Sequence, residues 1–437
     1  MLKRIITLVL VLSMLITATG CVGREKASEE QMCELAKTMT DLIAKGDLEA
    51  AYDASTVSLQ YSKQYIVFQD TWNLNTDYCG EYVADMGLQA TRWDSESTFL
   101  VDYGYDFSNI GVIIRVFFNE YGEMTSYSVR YNDFHDEYEM PAGIVEEEFS
   151  FVNVDGTTMH GAFCYPEGAE NVPAVMLIPG SGALHMDSPY GHLKIMRDIA
   201  HGLAEQGIAT LRMNKRTYEN TQNDFISFCQ ELEFTRDYTM AYELLKTQPY
   251  VDADKLFILG HSVGGKIAAR IDGELDSAGI IVLSGTNRPL WELHYDQNYN
   301  YVQVNGASSI DDLSNLEQER QKAVRLKNQT FLDAAEETIF NYNGFYYWEE
   351  MDTQPDLTLI TKPVLLIRGL KDYQTYEEDW QSLLDGYANA QLVTKEFEGL
   401  GHMMTESDGS QNPSEYFHRL NVDEAVINTI AEFVKSN

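Results

Sequence analysis

The sequence predicts an α/β protein in two parts: a mostly parallel sheet with helices on both faces, preceded by a small α+β domain. Three observations carry this. From Val172 onward, short apolar runs alternate with segments whose apolar residues recur every three and four positions, as strands and helices in turn. Before Asn132 the order differs, with helical patterns first and alternating strands after them. At Lys255–Gly265, KLFILGHSVGG, an apolar run passes through a G-x-S-x-G pentapeptide directly into a helical pattern. A chain of 437 residues is long enough to bury a large core and to hold more than one domain.

The formal net charge of -37 argues against nucleic acid or an anionic lipid surface as partner. The hydrophobic fraction of 44% is that of an ordinary globular protein, so the acidity does not signal disorder. At the N-terminus, Lys3-Arg4 precedes an apolar stretch, Ile5 to Ile16, too short to span a bilayer, and Ala18-Thr19-Gly20-Cys21 ends it in small residues. This resembles a bacterial lipoprotein signal covering residues 1–20. Cleavage before Cys21 would leave that cysteine to carry lipid and anchor the chain at the outer face of the cell membrane, an ordinary secretory leader being the alternative. Residues 21–30 then read as a polar tether. Cys33, Cys79, Cys164 and Cys229 have neither C-x-x-C nor zinc-ligand spacing and read as buried free thiols, although export would permit a Cys33–Cys79 disulfide.

In the small domain, residues 31–135, the spacing predicts helices over Ser28–Gly46, Leu48–Leu59 and Lys63–Tyr78, then strands from Val83, with a hairpin of Gly111–Asn119 and Met124–Tyr131. Asp102 and Asp106 read as solvated loop acids. The acidic stretch Asn132–Met140 and Pro141-Ala142-Gly143 mark the boundary to a second domain, residues 141–437. There a hairpin across Asp155-Gly156 leads into strands at Val172–Ile178, Ile208–Met213, Leu256–Leu259, Gly279–Ser284, Lys362–Arg368 and Gln391–Phe397. Helices are expected at His192–Gln206, Leu232–Thr247, Lys266–Ile271 and Val422–Val434. Residues 286–361 interrupt the alternation with helical patterns at Leu313–Lys327 and Thr330–Phe340 and a run of aromatics, among them Trp291, Tyr301 and Tyr347. A long helical insertion at the C-terminal edge of the sheet is where a lid is expected, an aromatic packing layer with no ligand role being the alternative.

A serine hydroxyl is a weak nucleophile until a base takes its proton and an acceptor orients that base. Ser262 sits in the pentapeptide's centre, where a Cβ at Gly260 or Gly264 would crowd the turn. Asp372 follows the strand ending at Arg368, and His402 follows the one ending at Phe397, in the chain order serine, acid, histidine. These three are the expected catalytic set. The amides of Val263 and Ser181, with Gly182 as the alternative to Ser181, are the expected oxyanion donors. No metal or organic cofactor is called for.

On these motifs, residues 141–437 resemble bacterial α/β-hydrolase esterases of the dienelactone-hydrolase and serine-aminopeptidase-like group. The matches are Leu177-Ile178-Pro179-Gly180-Ser181-Gly182, Asn214-Lys215-Arg216-Thr217-Tyr218, Gly260–Gly265, Asp372-Tyr373-Gln374 and Gly401-His402. Pro179 departs from the histidine usual there, at a position that supplies no oxyanion donor. The small domain resembles the domain of unknown function that precedes the catalytic domain in bacterial secreted esterases, a cone-shaped fold of the ketosteroid-isomerase kind. The resemblance implies a lid-bearing, lipid-anchored serine carboxylesterase acting on small, short-chain acyl esters. It also implies that His261 points away from the reaction; the motif Lys215-Arg216-Thr217-Tyr218 reads as structural, with an approach of Arg216 to the site as the alternative. His185 and His192 read as surface residues near the oxyanion loop. A peptidase or acyltransferase on the same triad, and a non-enzymatic surface-binding lipoprotein, are the competing readings.

Overall fold

The computed structural model describes residues 26–62, 65–76, 78–95, 97–219, 229–275, 277–305, 310–340 and 342–437. The leader and Cys21 lie outside the described residues. The chain divides after Phe134 into two compact units.

In the first unit, helices Glu29–Ala44, Leu48–Ala54, Val57–Ser62 and Tyr65–Thr76 precede strands β1 (Tyr82–Ser95), β2 (Thr98–Phe107), β3 (Gly111–Asn119) and β4 (Met124–Asn132). The strands form one antiparallel sheet in sequence order. The first helix is started by a capping box in which Ser28 and Gln31 satisfy each other's backbone N–H. It therefore begins within the stretch read as a tether. Asp102 is not a solvated loop acid. It stands opposite Arg115 in the β2–β3 register, is 2% exposed, and accepts two bonds from Arg115, at 2.7 and 2.8 Å, and one from Arg130 at 3.0 Å. A buried carboxylate tolerates this position because three charge-assisted bonds replace its water. Asp106 is buried as well.

The second unit contains β5 (Ile144–Val152), β6 (Thr158–Pro166), β7 (Val172–Ile178), a two-residue ladder of β8 (Pro189–Tyr190) with β9 (Leu193–Lys194), β10 (Ala209–Met213), β11 (Val251–His261) and β12 (Gly279–Leu283). A second small ladder, β13 (Thr338–Ile339) with β14 (Tyr342–Asn343), precedes β15 (Pro363–Gly369) and β16 (Gln391–Phe397). The main sheet has eight strands in the order β16-β15-β12-β11-β7-β10-β6-β5. The six from β16 to β10 run parallel, and β6 and β5 are antiparallel. This is the α/β-hydrolase fold.

Residues alternate between two cores because successive side chains of a strand point to opposite faces. Met176, Ile258, Ile280 and Leu366 face one core, which takes in Tyr238, Ala241 and Leu245 of helix Asp237–Lys246 and Ile267, Ala268 and Ile271 of helix Val263–Leu275. Val175, Leu177, Phe257, Leu259, Ile281 and Leu365 face the other, with helices Ile195–Glu205 and Glu424–Ser436. The stretch expected as a boundary linker is docked on this unit. Arg197 donates to Asp136 at 2.9 Å and lies over the Tyr138 ring at 3.7 Å, and the Tyr138 hydroxyl bonds His201 Nδ1 at 2.6 Å.

Between β12 and β15 stand helices Leu290–Asn305, Ile310–Leu326, Phe331–Ala335 and Gly344–Asp352. The helix expected over Thr330–Phe340 stops at Ala335, and the chain turns into the β13–β14 ladder instead. Glu319 accepts the Phe340 N–H at 3.0 Å and Lys322 donates to the Thr338 carbonyl at 3.2 Å. Partners on a neighbouring helix thus replace the intrahelical bonds of this stretch.

Candidate active site

Ser262 occupies the turn between β11 and helix Val263–Leu275, with φ at +56°, a left-handed conformation that L side chains seldom adopt. The turn is held by sterics and two backbone bonds. A Cβ on Gly260 would stand 2.0 Å from the Gly264 carbonyl oxygen, and one on Gly264 2.5 Å from that of Ile178. Ser262 N–H donates to the Leu283 carbonyl at 2.9 Å, and Gly265 N–H to the Ser262 carbonyl at 3.0 Å. Ser262 is therefore tied to β12 as well as to its own strand. Val263 is the first residue of the helix, so its N–H is one of the terminal donors that have no partner inside a helix.

Asp372 lies just beyond β15. Its Oδ1 accepts the N–H groups of Gln374 and Thr375, at 2.8 and 3.0 Å. Its Oδ2 accepts the Thr375 hydroxyl at 2.6 Å and His402 Nδ1 at 2.8 Å. Burial opposes the charge on Asp372, yet His402 and Thr375 outweigh it and hold its pKa below the ordinary carboxylate value. An ionised carboxylate only accepts, so the proton of this bond sits on His402 Nδ1, which leaves Nε2 to act as a base. Thr375 is not part of the predicted set. Its signal in the sequence is an Asp followed at two and three residues by groups whose amides it can accept, an Asx-type turn. The acid loop and the histidine loop are joined directly, with Lys371 N–H donating to the Leu400 carbonyl at 3.0 Å.

Ser262 and His402 line one cleft of about 210 Å³, together with Gly180, Ser181 and Gly182 from the loop after β7. From the lid come Leu293, His294, Gln297 and Tyr342. Of the lid aromatics singled out by sequence, Tyr347 is packed away in the core, as is its neighbour Tyr346. His294 Nδ1 shares a 2.6 Å bond with the Tyr347 hydroxyl and its ring stacks on Tyr342 at 5.1 Å. Burial lowers its pKa to about 4, so it stays neutral through the physiological range and keeps its other ring nitrogen for the cleft.

His261 is a correction. It does not turn away from the site but lines the cleft. Its Nε2–H donates to the His402 carbonyl at 3.0 Å and its ring lies 4.7 Å from that of His402. Burial, with His402 as neighbour, lowers its pKa to about 3, so it is a neutral brace for the histidine loop. His185 is half-buried and faces Asp187 at 3.5 Å. Neither it nor His192 lines the cleft.

Lys215 was missed by sequence reasoning as a neighbour of the site. It is 1% exposed. Its Nζ donates to the Gly180 carbonyl at 3.2 Å, pairs with Glu233 at 3.1 Å and lies 4.4 Å from the Phe234 ring centre. In a trans peptide the C=O and the following N–H point in opposite directions. A cation holding the Gly180 oxygen therefore fixes the direction of the Ser181 N–H on the opposite edge of the same peptide. Arg216 is turned elsewhere, bonded to Asp237 at 2.8 and 2.6 Å and to Asp155 at 2.6 Å.

Among the described residues one trio has metal-ligand chemistry, Glu146, Cys164 and His201, with ligand atoms within 4.8 Å. Its donors are already engaged. His201 bonds Glu146 through Nε2 at 2.7 Å and Tyr138 through Nδ1, and Arg212 donates to Glu146 at 2.7 Å. A cation there would have to displace a guanidinium, so the trio does not fit a metal.

A family model described as serine aminopeptidase, S33, matches residues 190–408. Esterase EstD of Thermotoga maritima is 32% identical over 302 residues, covering 68% of this chain and 70% of that protein. Among solved structures, Est1E from Butyrivibrio proteoclasticus aligns with a TM-score of 0.43 at 18% identity, over 66% of this chain and all but 1% of its own, since 99% is covered. Brefeldin A esterase, described as a bacterial homologue of human hormone sensitive lipase, aligns with a TM-score of 0.42 at 14% identity over 69% of this chain and 79% of its own.

Proposed function

Because this chain belongs to the S33 family of α/β-hydrolases and is similar to Esterase EstD, we propose that it is a serine carboxylesterase whose triad is Ser262, His402 and Asp372. Ser262 Oγ attacks the ester carbonyl as His402 Nε2 takes its proton. The amides of Val263 and Ser181, with Gly182 beside them, receive the oxyanion. His402 returns the proton to the leaving alcohol, and water then cleaves the acyl-enzyme by the same route. Asp372, ionised and saturated with donors, holds the imidazole in the tautomer this requires.

The single observation that carries the proposal is convergence. Three residues from the ends of three strands meet at one edge of the sheet, the acid bonded to the histidine and the histidine in one cleft with a serine at positive φ. The cleft's lining supports an ester over an aminopeptidase substrate. Among the described residues it holds no Asp or Glu to receive a free α-ammonium group. Its modest volume suits short acyl groups. The test is Ser262→Ala assayed on p-nitrophenyl butyrate. Turnover should fall at least about 1,000-fold with the thermal unfolding midpoint preserved, and retained turnover would remove Ser262 from the chemistry.

The leader extends the proposal to export and lipid attachment at Cys21. Cys21→Ala should release the protein from the membrane fraction of a bacterial host, and unchanged fractionation would contradict the anchor.

A further inference from the structure

Beside the cleft lies a second, half-open cavity of about 140 Å³. The two cavities share Tyr190, Gln297 and Gln374 in their walls, so they adjoin. The second is built on the acid and histidine side. Tyr373 and Gln374 follow Asp372, and Tyr416 belongs to the segment after His402. His402 must hand its proton to the leaving oxygen, so the alcohol half of the ester departs on this side.

The lining is unlike the rest of the chain. It consists of four tyrosines, three glutamines, an asparagine and a proline. No charged side chain is present, in a protein of which 23% is charged. An anion would be met by Lys or Arg, a cation by Asp or Glu, and an alkyl chain by aliphatic residues. Side-chain amides and phenols beside aromatic faces suit a different ligand. Each hydroxyl of a sugar both donates and accepts, and the C–H face of the ring is apolar enough to rest on an aromatic plane.

The wall is also pre-arranged. Tyr373 and Tyr416 stack at 6.0 Å, and Tyr190 meets Tyr416 edge-on at 5.0 Å. Gln374 Nε2 donates to the Tyr416 hydroxyl at 2.5 Å and Gln297 Nε2 to the Gln374 carbonyl at 2.8 Å. Each side-chain amide is anchored through one N–H, which orients its carbonyl to accept from an incoming hydroxyl. At the rim, Tyr301 is 48% and Tyr190 38% exposed, so both present surface to an incoming ligand.

We infer that this cavity is the subsite for the alcohol half of the substrate, and that this alcohol is a sugar. The inference rests on the reading of Ser262 and His402 given above. The sugar oxygen leaves the acyl carbon as the C–O bond breaks, taking the proton held by His402. Water then releases the acid, so one water is consumed per free sugar hydroxyl formed.

The test compares kcat/KM, by pH-stat, for monoacetates of methyl glucoside, for phenyl acetate and for ethyl acetate. At least one sugar acetate should exceed ethyl acetate by about tenfold or more. Tyr301→Ala should lower kcat/KM on that sugar acetate about tenfold, through KM, and leave ethyl acetate within about twofold. Equal rates on sugar and ethyl acetates, or a Tyr301→Ala loss confined to phenyl acetate, would overturn the sugar subsite and leave the esterase standing. Failure of the wild-type protein on all three esters would overturn both.

Discussion

The turn that carries Ser262 and the lid above it are held by different forces. At the turn, backbone meets backbone. The added Cβ distances of 2.0 and 2.5 Å at Gly260 and Gly264 leave no room for any side chain. The lid is held by buried charges. Lys266, on the helix that follows Ser262, pairs with Glu350 of helix Gly344–Asp352 and donates to the Arg288 carbonyl at 2.5 Å. Arg288 in turn grips Asp379 at 2.8 and 3.0 Å, and Glu349 accepts the Gln230 N–H at 2.6 Å. Steric constraint dictates residue type at fixed local spacing. Ion pairing only asks that two charges meet, however far apart in the chain. On the proposed mechanism, chemistry is placed by the first kind of structure and substrate choice by the second.

The largest effect should come from the turn. Gly260→Ala forces the strand and helix apart and should cost about 4 kcal/mol or more, with loss of esterase activity, in urea denaturation. A stable, active Gly260→Ala protein would break the contrast at once. On the lid side, Lys266→Met strands Glu350 in the interior and should cost about 3–5 kcal/mol, whereas Lys266→Met combined with Glu350→Met should cost far less. A double variant as unstable as the single one would show that something other than this pair secures the lid.

Lys215 lies between the two regimes, a buried charge that acts on backbone. Lys215→Met should lower kcat about 10- to 100-fold with a smaller change in KM, because it frees the Gly180–Ser181 peptide that directs the oxyanion donor. An unchanged kcat would remove that role. The smallest effect belongs to His294. Its pKa is about 4 folded against an ordinary 6.5. The unfolded chain therefore takes up this proton first, and the group's contribution to stability is complete above pH 6.5 and lost as the pH falls toward 4. His294→Gln should make the protein less sensitive to acid by about 1–3 kcal/mol across that window. Parallel stability curves for the two proteins would place His294 in water rather than under the lid.

The same contrast explains what could be read from the sequence. β7 at Val172–Ile178 and β16 at Gln391–Phe397 fall where periodicity predicts them, because side-chain alternation is written locally. Ser262, Asp372 and His402 are legible for a related reason, each following a strand at a fixed chain order. Thr375 was within reach, three residues from Asp372. Asp102 and Arg115 were not recognised as a pair, since only the β2–β3 register puts them opposite each other. Lys215 and Gly180, or Lys266 and Glu350, meet only in the folded chain, with nothing local to announce them. The lid's role in placing His294 and Gln297 in the cleft is hidden for the same reason, as is the His261 brace on His402.

The central claim is that the turn makes Ser262 the nucleophile. Its most direct test is the mass of the intact protein, acid-quenched during turnover of p-nitrophenyl butyrate. A single butyryl adduct per chain is expected, mapping to Ser262 and absent from Ser262→Ala. An adduct on another residue, or turnover with no adduct trapped even when His402→Ala slows deacylation, would contradict it.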